Sequence, residues 1–305
     1  MSFRSSTSAK PGQKAILITH TDLDGLGSAI LAIKEKLFDE IYCWNNNYED
    51  MSIIKGNNVV IADLALSQNA IKNALVYDHH EASKNIKNGK YDPNRCGTKL
   101  FYELYMKKPM HNSTRDKFVH LVDIYDRWQD MHEDFNDALN LGRVFNKTVW
   151  KRPNALIYTK SKGILKTNYS VFISEMLKVL DQATFKLSPV LQQKADEALM
   201  EENEAYEDAI SDAQTRTDAR GNKFTIMCMS KFITENGNRY LREHEDVVYI
   251  LSLGSEYISA RCREGFNLTQ LEGLKGHPRA SAGPFSPDFI EDLWDDVVHE
   301  LNYRV

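Results

Sequence analysis

Within its first eighty residues the chain alternates short apolar runs with helical segments, and acidic or imidazole side chains follow three of those runs. KAILIT (Lys14–Thr19) reads as a buried strand. A polar loop, His20–Gly25, comes next, and Gly27–Phe38 then repeats apolar residues at helical spacing. Glu40–Trp44 is a second strand, and a third lies within Asn57–Ser67, ending at Asp63. A short helix precedes a fourth strand, Leu75–Tyr77. Strand and helix in alternation predict a largely parallel sheet with helices on its faces.

From Gly97 onward the pattern turns helical, through Gly97–Lys108 and Arg115–Met131, with a further helix around Ser170–Leu180. Pro189–Ala213 forms a long polar helix with few large apolar residues, so it reads as a bridge between domains. A turn at Asp218–Lys223 leads into strands at Phe224–Met229, Asp246–Leu253 and Tyr257–Arg263. A Gly-rich segment, Gly273–Phe285, and a last helix near Asp288–Leu301 complete the chain. The expected class is α/β, and 305 residues suit two domains. The expected boundaries are a disordered tail at 1–13, a catalytic domain at 14–185, a linker helix at 186–217 and a smaller mixed-sheet domain at 218–305.

Composition narrows the classes of function. No apolar stretch is long enough to span a bilayer, and the Ser- and Lys-rich start lacks the apolar segment of a signal peptide. Cys43, Cys96, Cys228 and Cys262 lie far apart with no CxxC pair, which argues against a zinc ribbon or a disulfide framework. A reducing cytoplasm is the expected compartment. The net charge of −5 shows none of the basic surplus that holding a long duplex calls for, so a short substrate is favoured.

The acids and histidines fall where strands end. His20, Asp22 and Asp24 alternate just past the first strand, and in extended backbone such residues face one way. Asp63 closes the third strand, and Asp78, His79 and His80 close the fourth. In an open parallel sheet these ends line one edge, where ligands bind. Carboxylates gathered there resist ionisation unless cations balance them. Mixed Asp and His ligation suits two divalent cations, Mn²⁺ first, with Mg²⁺, Co²⁺ or Zn²⁺ as alternatives. Such a pair sits about 3.5–4 Å apart and promotes phosphoryl displacement, with Asp63 as the expected bridge. The bland alternative for Asp24 is a helix N-cap.

HTDLDGLGSA, IAD and DHH together resemble the first three motifs of the DHH phosphoesterases, a superfamily of RecJ-like exonucleases, nano-RNases, cyclic-dinucleotide phosphodiesterases and family II pyrophosphatases. The spacing of His20 before the Asp pair is closer to the RecJ type. The resemblance implies that His20, Asp22, Asp24, Asp63 and His79 ligate metal, that His80 contacts substrate beside the ions, and that Asp78 orients a histidine. Gly97-Thr98 resembles the lead-in to a fourth motif, whose acid is Asp123 or, as the alternative, Asp126.

Residues 259–285 resemble the DHH-associated C-terminal domain, although Leu274 and Lys275 stand where that motif has glycines. This implies that Arg261, His277 and Lys275 contact substrate phosphate. Catalysis would rest on Asp22, Asp63 and His80. The implied activity is metal-dependent hydrolysis of short oligonucleotides or linear dinucleotides to mononucleotides. The alternatives are a RecJ-like single-strand exonuclease, a cyclic-dinucleotide phosphodiesterase and a silent nucleic-acid-binding relative. The implied partner is a short single-stranded nucleic acid or a dinucleotide, with no membrane, and self-association is left open.

Overall fold

The computed structural model describes residues 13–45, 58–65, 74–107, 112–149, 151–218, 220–254, 257–271, 273–277 and 279–284. The chain divides into two compact units, 1–198 and 199–305.

The first unit is built on a seven-stranded sheet. β1 (Ala15–His20) leads into α1 (Leu23–Lys34), then β2 (Glu40–Trp44), β3 (Asn58–Ala62), β4 (Leu75–Asp78) and β5 (Gly89–Tyr91). A short α2 (Gly97–Leu100) runs on as a wider π-helical turn over Phe101–Tyr105, followed by α3 (Ser113–Asp126) and α4 (Phe135–Thr148). The hairpin β6 (Ala155–Thr159) and β7 (Gly163–Ile164) and the helix α5 (Ser170–Leu180) follow. The strand order is β5-β4-β3-β1-β2-β6-β7. The first five are mutually parallel, and β6 and β7 join antiparallel at one edge. Residues 97–185 were expected to be helical, so the β6–β7 hairpin is a correction. β7, at two residues, is too short for a period-two pattern to register, whereas β6 (ALIYT) is as long as β2 and went unrecognised beside it.

Why this stretch becomes a two-sided sheet is visible in β1 and β3. Both are near-continuous apolar runs, as strands buried on both faces require. Leu17 and Val60 point into the larger core with α1, α3, α4 and α5, whereas Ile16, Ile18, Val59 and Ile61 point to the opposite face with Trp44 and Val76. The short helix expected before β4 falls largely outside the described residues.

α6 (Pro189–Ser211) spans the boundary between the units. Leu191 and Ala195 belong to the first unit's core, and Tyr206 and Ala209 to a cluster in the second. The second unit holds β8 (Gln214–Thr217), β9 (Lys223–Cys228), α7 (Ile233–Glu243), β10 (Tyr249–Leu253), β11 (Tyr257–Cys262), β12 (Lys275–His277) and β13 (Ala280–Pro284). They form a mixed six-stranded sheet in the order β12-β13-β11-β10-β9-β8, with only β9 and β10 parallel. Tyr249 stacks between Phe224 and Phe266 on one face. α7, through Tyr240 and Leu241, packs with Met227 and Ile250 on the other. The expected last helix, Asp288–Leu301, lies outside the described residues. No helix among the described residues is long and apolar enough to cross a membrane.

Candidate metal centre

Sheet register brings the cluster together. Thr19 of β1 lies opposite Ala62 of β3, and Ala62 lies opposite Tyr77 of β4. One residue further along, His20, Asp63 and Asp78 therefore leave three adjacent strands at one level. β2 lies on one side of β1 and β3 on the other, so the chain direction across the sheet reverses there. Open parallel sheets bind ligands in the crevice at such a point.

His20, Asp22 and Asp24 do not share an extended run, contrary to expectation. α1 starts at Leu23 rather than Gly27, because Asp22 caps it by accepting the Gly25 N–H at 2.9 Å. Asp22, not Asp24, is thus the N-cap. Asp24 sits buried in the first helical turn and reaches across to the start of α2. There the Gly97 and Thr98 amides donate to its two oxygens at 2.6 and 2.7 Å. The turn from β1 into α1 requires glycine at position 25, where a Cβ would lie 2.4 Å from the His20 carbonyl oxygen. Convergence comes from a strand end, a cap and a first turn rather than from strand alternation.

The ligand-type atoms form overlapping groups. His20, Asp22 and Asp63 lie within 4.8 Å of one another, as do Asp24, His79 and Asp126, and as do Asp63, Asp78, His79 and His80. His79 Nε2 is 3.2 Å from Asp63, 3.6 Å from Asp126 and 3.8 Å from Asp24. Asp63 sits between the groups with a left-handed φ of 56°, which Asp tolerates better than most residues. Both of its carboxylate oxygens are buried without a hydrogen-bond partner, and so is Oδ2 of Asp126.

Burial and the carboxylates of Asp24, Asp22, Asp126 and Asp78 push Asp63 well above the usual carboxylate range. Burial, Asp24 and Asp22 do the same to Asp126. Burial also works against charge on Asp22 and Asp78, but His20 beside the first and His80 beside the second outweigh it and hold both acids low. The same pairings hold His20 and His80 above the ordinary imidazole value despite burial. At His79 burial prevails and lowers it, which favours the neutral ring that ligates cations.

The two aspartates of α3 have different surroundings. Asp123 accepts the Cys96 N–H at 2.9 Å and the Lys99 ammonium at 2.7 Å. Asp126 instead faces His79. Asp78 binds the His80 Nδ1 at 2.8 Å and accepts the Ser83 hydroxyl, so it fixes the ring of its neighbour. The parts that motif reading missed are the anchors: the Gly97 and Thr98 amides, Ser83 and Lys99. Only Gly97-Thr98 left a sequence signal, as the lead-in to the fourth motif.

In the second unit, Arg261 of β11 donates to the Ala260 carbonyl at 2.7 Å and to the Thr234 hydroxyl at 2.6 Å. Lys275 and His277 lie on β12, with side chains outside the described ones.

No protein-family model matches the sequence, and no curated protein does. Solved structures do. The DHH domain of a protein assigned to a family of ribosomal proteins aligns with a TM-score of 0.65 at 13% identity, covering 95% of this chain and 87% of that one. PggH, the pGpG-specific phosphodiesterase of Vibrio cholerae, aligns at 0.58 and 17% identity, covering 96% and 100%. Exonuclease RecJ bound to manganese aligns at 0.54 and 11% identity, covering 97% and 92%. The fold is that of DHH-domain proteins. The histidine–aspartate cluster of this DHH fold suits divalent cations on its own chemistry. Its unpartnered buried oxygens and its crowded carboxylates are what a bound cation would satisfy.

Proposed function

We propose that the chain is a two-metal-dependent phosphodiesterase that hydrolyses short oligonucleotides or linear dinucleotides to mononucleotides. The observation that carries this reading is Asp63, buried between two ligand groups with both oxygens unpartnered. His20, Asp22 and Asp63 would hold one cation, and Asp24, Asp63, His79 and Asp126 the other. Asp126 takes the place first given to Asp123, whose oxygens are engaged by Cys96 and Lys99. Mn²⁺ is the proposed ion, in keeping with the manganese of the RecJ neighbour. When bound, the pair would supply Lewis acidity toward water and phosphate oxygen.

The chain's own groups do the rest. Asp78 holds the Nδ1 side of His80, which leaves Nε2 to face a phosphate oxygen and offer it a proton. Gly97 and Thr98 amides keep Asp24 oriented. Arg261, His277 and Lys275 are proposed as phosphate contacts from the second unit. The choice of a short substrate draws on the acidic net charge of −5 and on the pGpG-specific neighbour.

The test is manganese-dependent release of mononucleotides from a labelled dinucleotide, a short oligonucleotide and a long single strand. The dinucleotide and the short strand should be consumed first, and Asp22→Ala and Asp63→Ala should abolish release. Activity retained in either variant overturns the assignment. Binding without hydrolysis of any substrate would make the chain a binding module instead.

A further inference from the structure

A second set of metal-type ligands lies away from the strand-end cluster. His120 stands on α3, and His132 and Asp134 lie in the connection to α4; their ligand atoms fall within 4.8 Å of one another. We propose that these three residues form an additional cation site, selective for a borderline divalent ion such as Zn²⁺, that fastens α3 to the start of α4.

One pair of ligands already stands at the spacing of a bound ion. His120 Nε2 is 3.2 Å from Asp134 Oδ2. Two ligands on a tetrahedral zinc with bonds of about 2.0–2.1 Å are separated by about 3.3 Å. The His120 and His132 rings meet edge to face, with centroids 4.8 Å apart. All three residues are partly exposed, so an ion can reach them from solvent.

The carboxylate is committed to this place. Asp134 directly precedes α4, where an aspartate ordinarily caps the helix amides, yet it makes no side-chain cap bond. One oxygen pairs with Lys117 and the other faces His120. The connection itself is fixed in position. His132 N–H donates to the Gln129 carbonyl and Phe135 N–H to the His132 carbonyl, both at 3.0 Å, while buried Trp128 stands edge-on to Phe135. Preordered ligands lose little freedom when an ion arrives.

The ion type follows from the donors. Two imidazoles and one carboxylate are softer than the aspartate-rich strand-end set, and they favour Zn²⁺ over Mn²⁺ or Mg²⁺. His132 Nδ1 accepts the Asp134 N–H at 3.1 Å, and a cation at that nitrogen would displace this hydrogen bond. Lys117 competes for the same carboxylate, so removing its charge frees Asp134.

Histidine-selective NMR of the full chain with added Zn²⁺ reads the site directly. The His120 and His132 imidazole resonances should shift together and saturate with one ion. Zinc bound per chain after equilibrium dialysis should fall by one in His120→Ala/His132→Ala. It should keep that His120-dependent ion in Asp63→Asn, whatever becomes of the strand-end cluster. Lys117→Met should tighten the site by up to about fivefold, the reach of one surface ion pair. Unmoved His120 and His132 resonances, or an unchanged zinc count in the double variant, overturn the proposal and leave the phosphodiesterase reading untouched.

Discussion

Replacing Asp63 by Asn should stabilise the cation-free protein while destroying its response to manganese. Asn matches Asp in size and accepts the left-handed backbone at this position. The raised carboxyl of Asp63 means that the folded chain keeps a proton the unfolded chain has released. Its contribution to stability is therefore greatest below the unfolded value of about 3.9 and is lost as pH rises toward the folded value, by about 1.4 kcal/mol per pH unit. At pH 7 the loss has a ceiling of about 4 kcal/mol, which Asn removes. Asp22 and Asp78, held low, act in a separate window: their contribution is present above about 3.9 and is lost in acid. Calorimetry in chelator across pH is the assay. The first unit should melt higher in Asp63→Asn than in the parent near neutral pH, by about 2–4 °C per kcal/mol, and with a flatter pH slope. Manganese should narrow the gap and, at about a thousandfold excess over Kd, where the parent gains about 4.1 kcal/mol and the variant less, close or invert it. A variant that melts lower than the parent in chelator, with the same pH slope, refutes the claim that Asp63 sits uncompensated.

Asp126→Asn should weaken manganese binding and, like Asp63→Asn, raise melting in chelator near neutral pH, whereas Asp123→Ala should leave the Cys96 amide without its acceptor and cost about 1–3 kcal/mol, both read by calorimetry with and without the ion. Gly97→Ala places a Cβ 2.3 Å from that of Asp63, so stability should drop by about 1–3 kcal/mol and manganese affinity with it, measured by melting and titration. Asp78→Asn removes the carboxylate that keeps His80 protonated, so the alkaline limb of the kcat–pH profile should move toward acid.

The sheet was legible because strands buried on both faces write themselves as unbroken apolar runs. Glu40–Trp44 matches β2, and Ser170–Leu180 matches α5. Short edge elements such as β5, β7 and β8 carry too few residues for any period, so they were not anticipated. α7 was missed for another reason: Ile233–Glu243 is mostly polar, with buried Glu235, Asn236 and Asn238, and reads as a loop. The cluster's membership could be seen in strand-final residues, but its local geometry could not. Whether Asp22 or Asp24 caps α1, and whether Asp123 or Asp126 faces His79, depends on contacts with α2, far away in sequence.

Those contacts divide the acids of the crevice into two kinds. Asp22 is held by the Gly25 amide, Asp24 by Gly97 and Thr98, Asp78 by His79, and Asp123 by Cys96. Each of these four keeps a hydrogen-bond donor whether or not a cation is present. Asp63, and Oδ2 of Asp126, have none. They are also the two whose carboxyls are pushed far upward. The charge that demands a cation is thus concentrated on two residues, and both can take a proton instead. Backbone amides hold most of the acids in place, so the proposed cations would enter by exchanging protons at Asp63 and Asp126. Cation uptake should then release protons in proportion to how far those two are protonated, more at mildly acidic pH than at alkaline pH. Uptake that releases none at any pH would mean that the two carboxylates are already charged and balanced by something other than a metal.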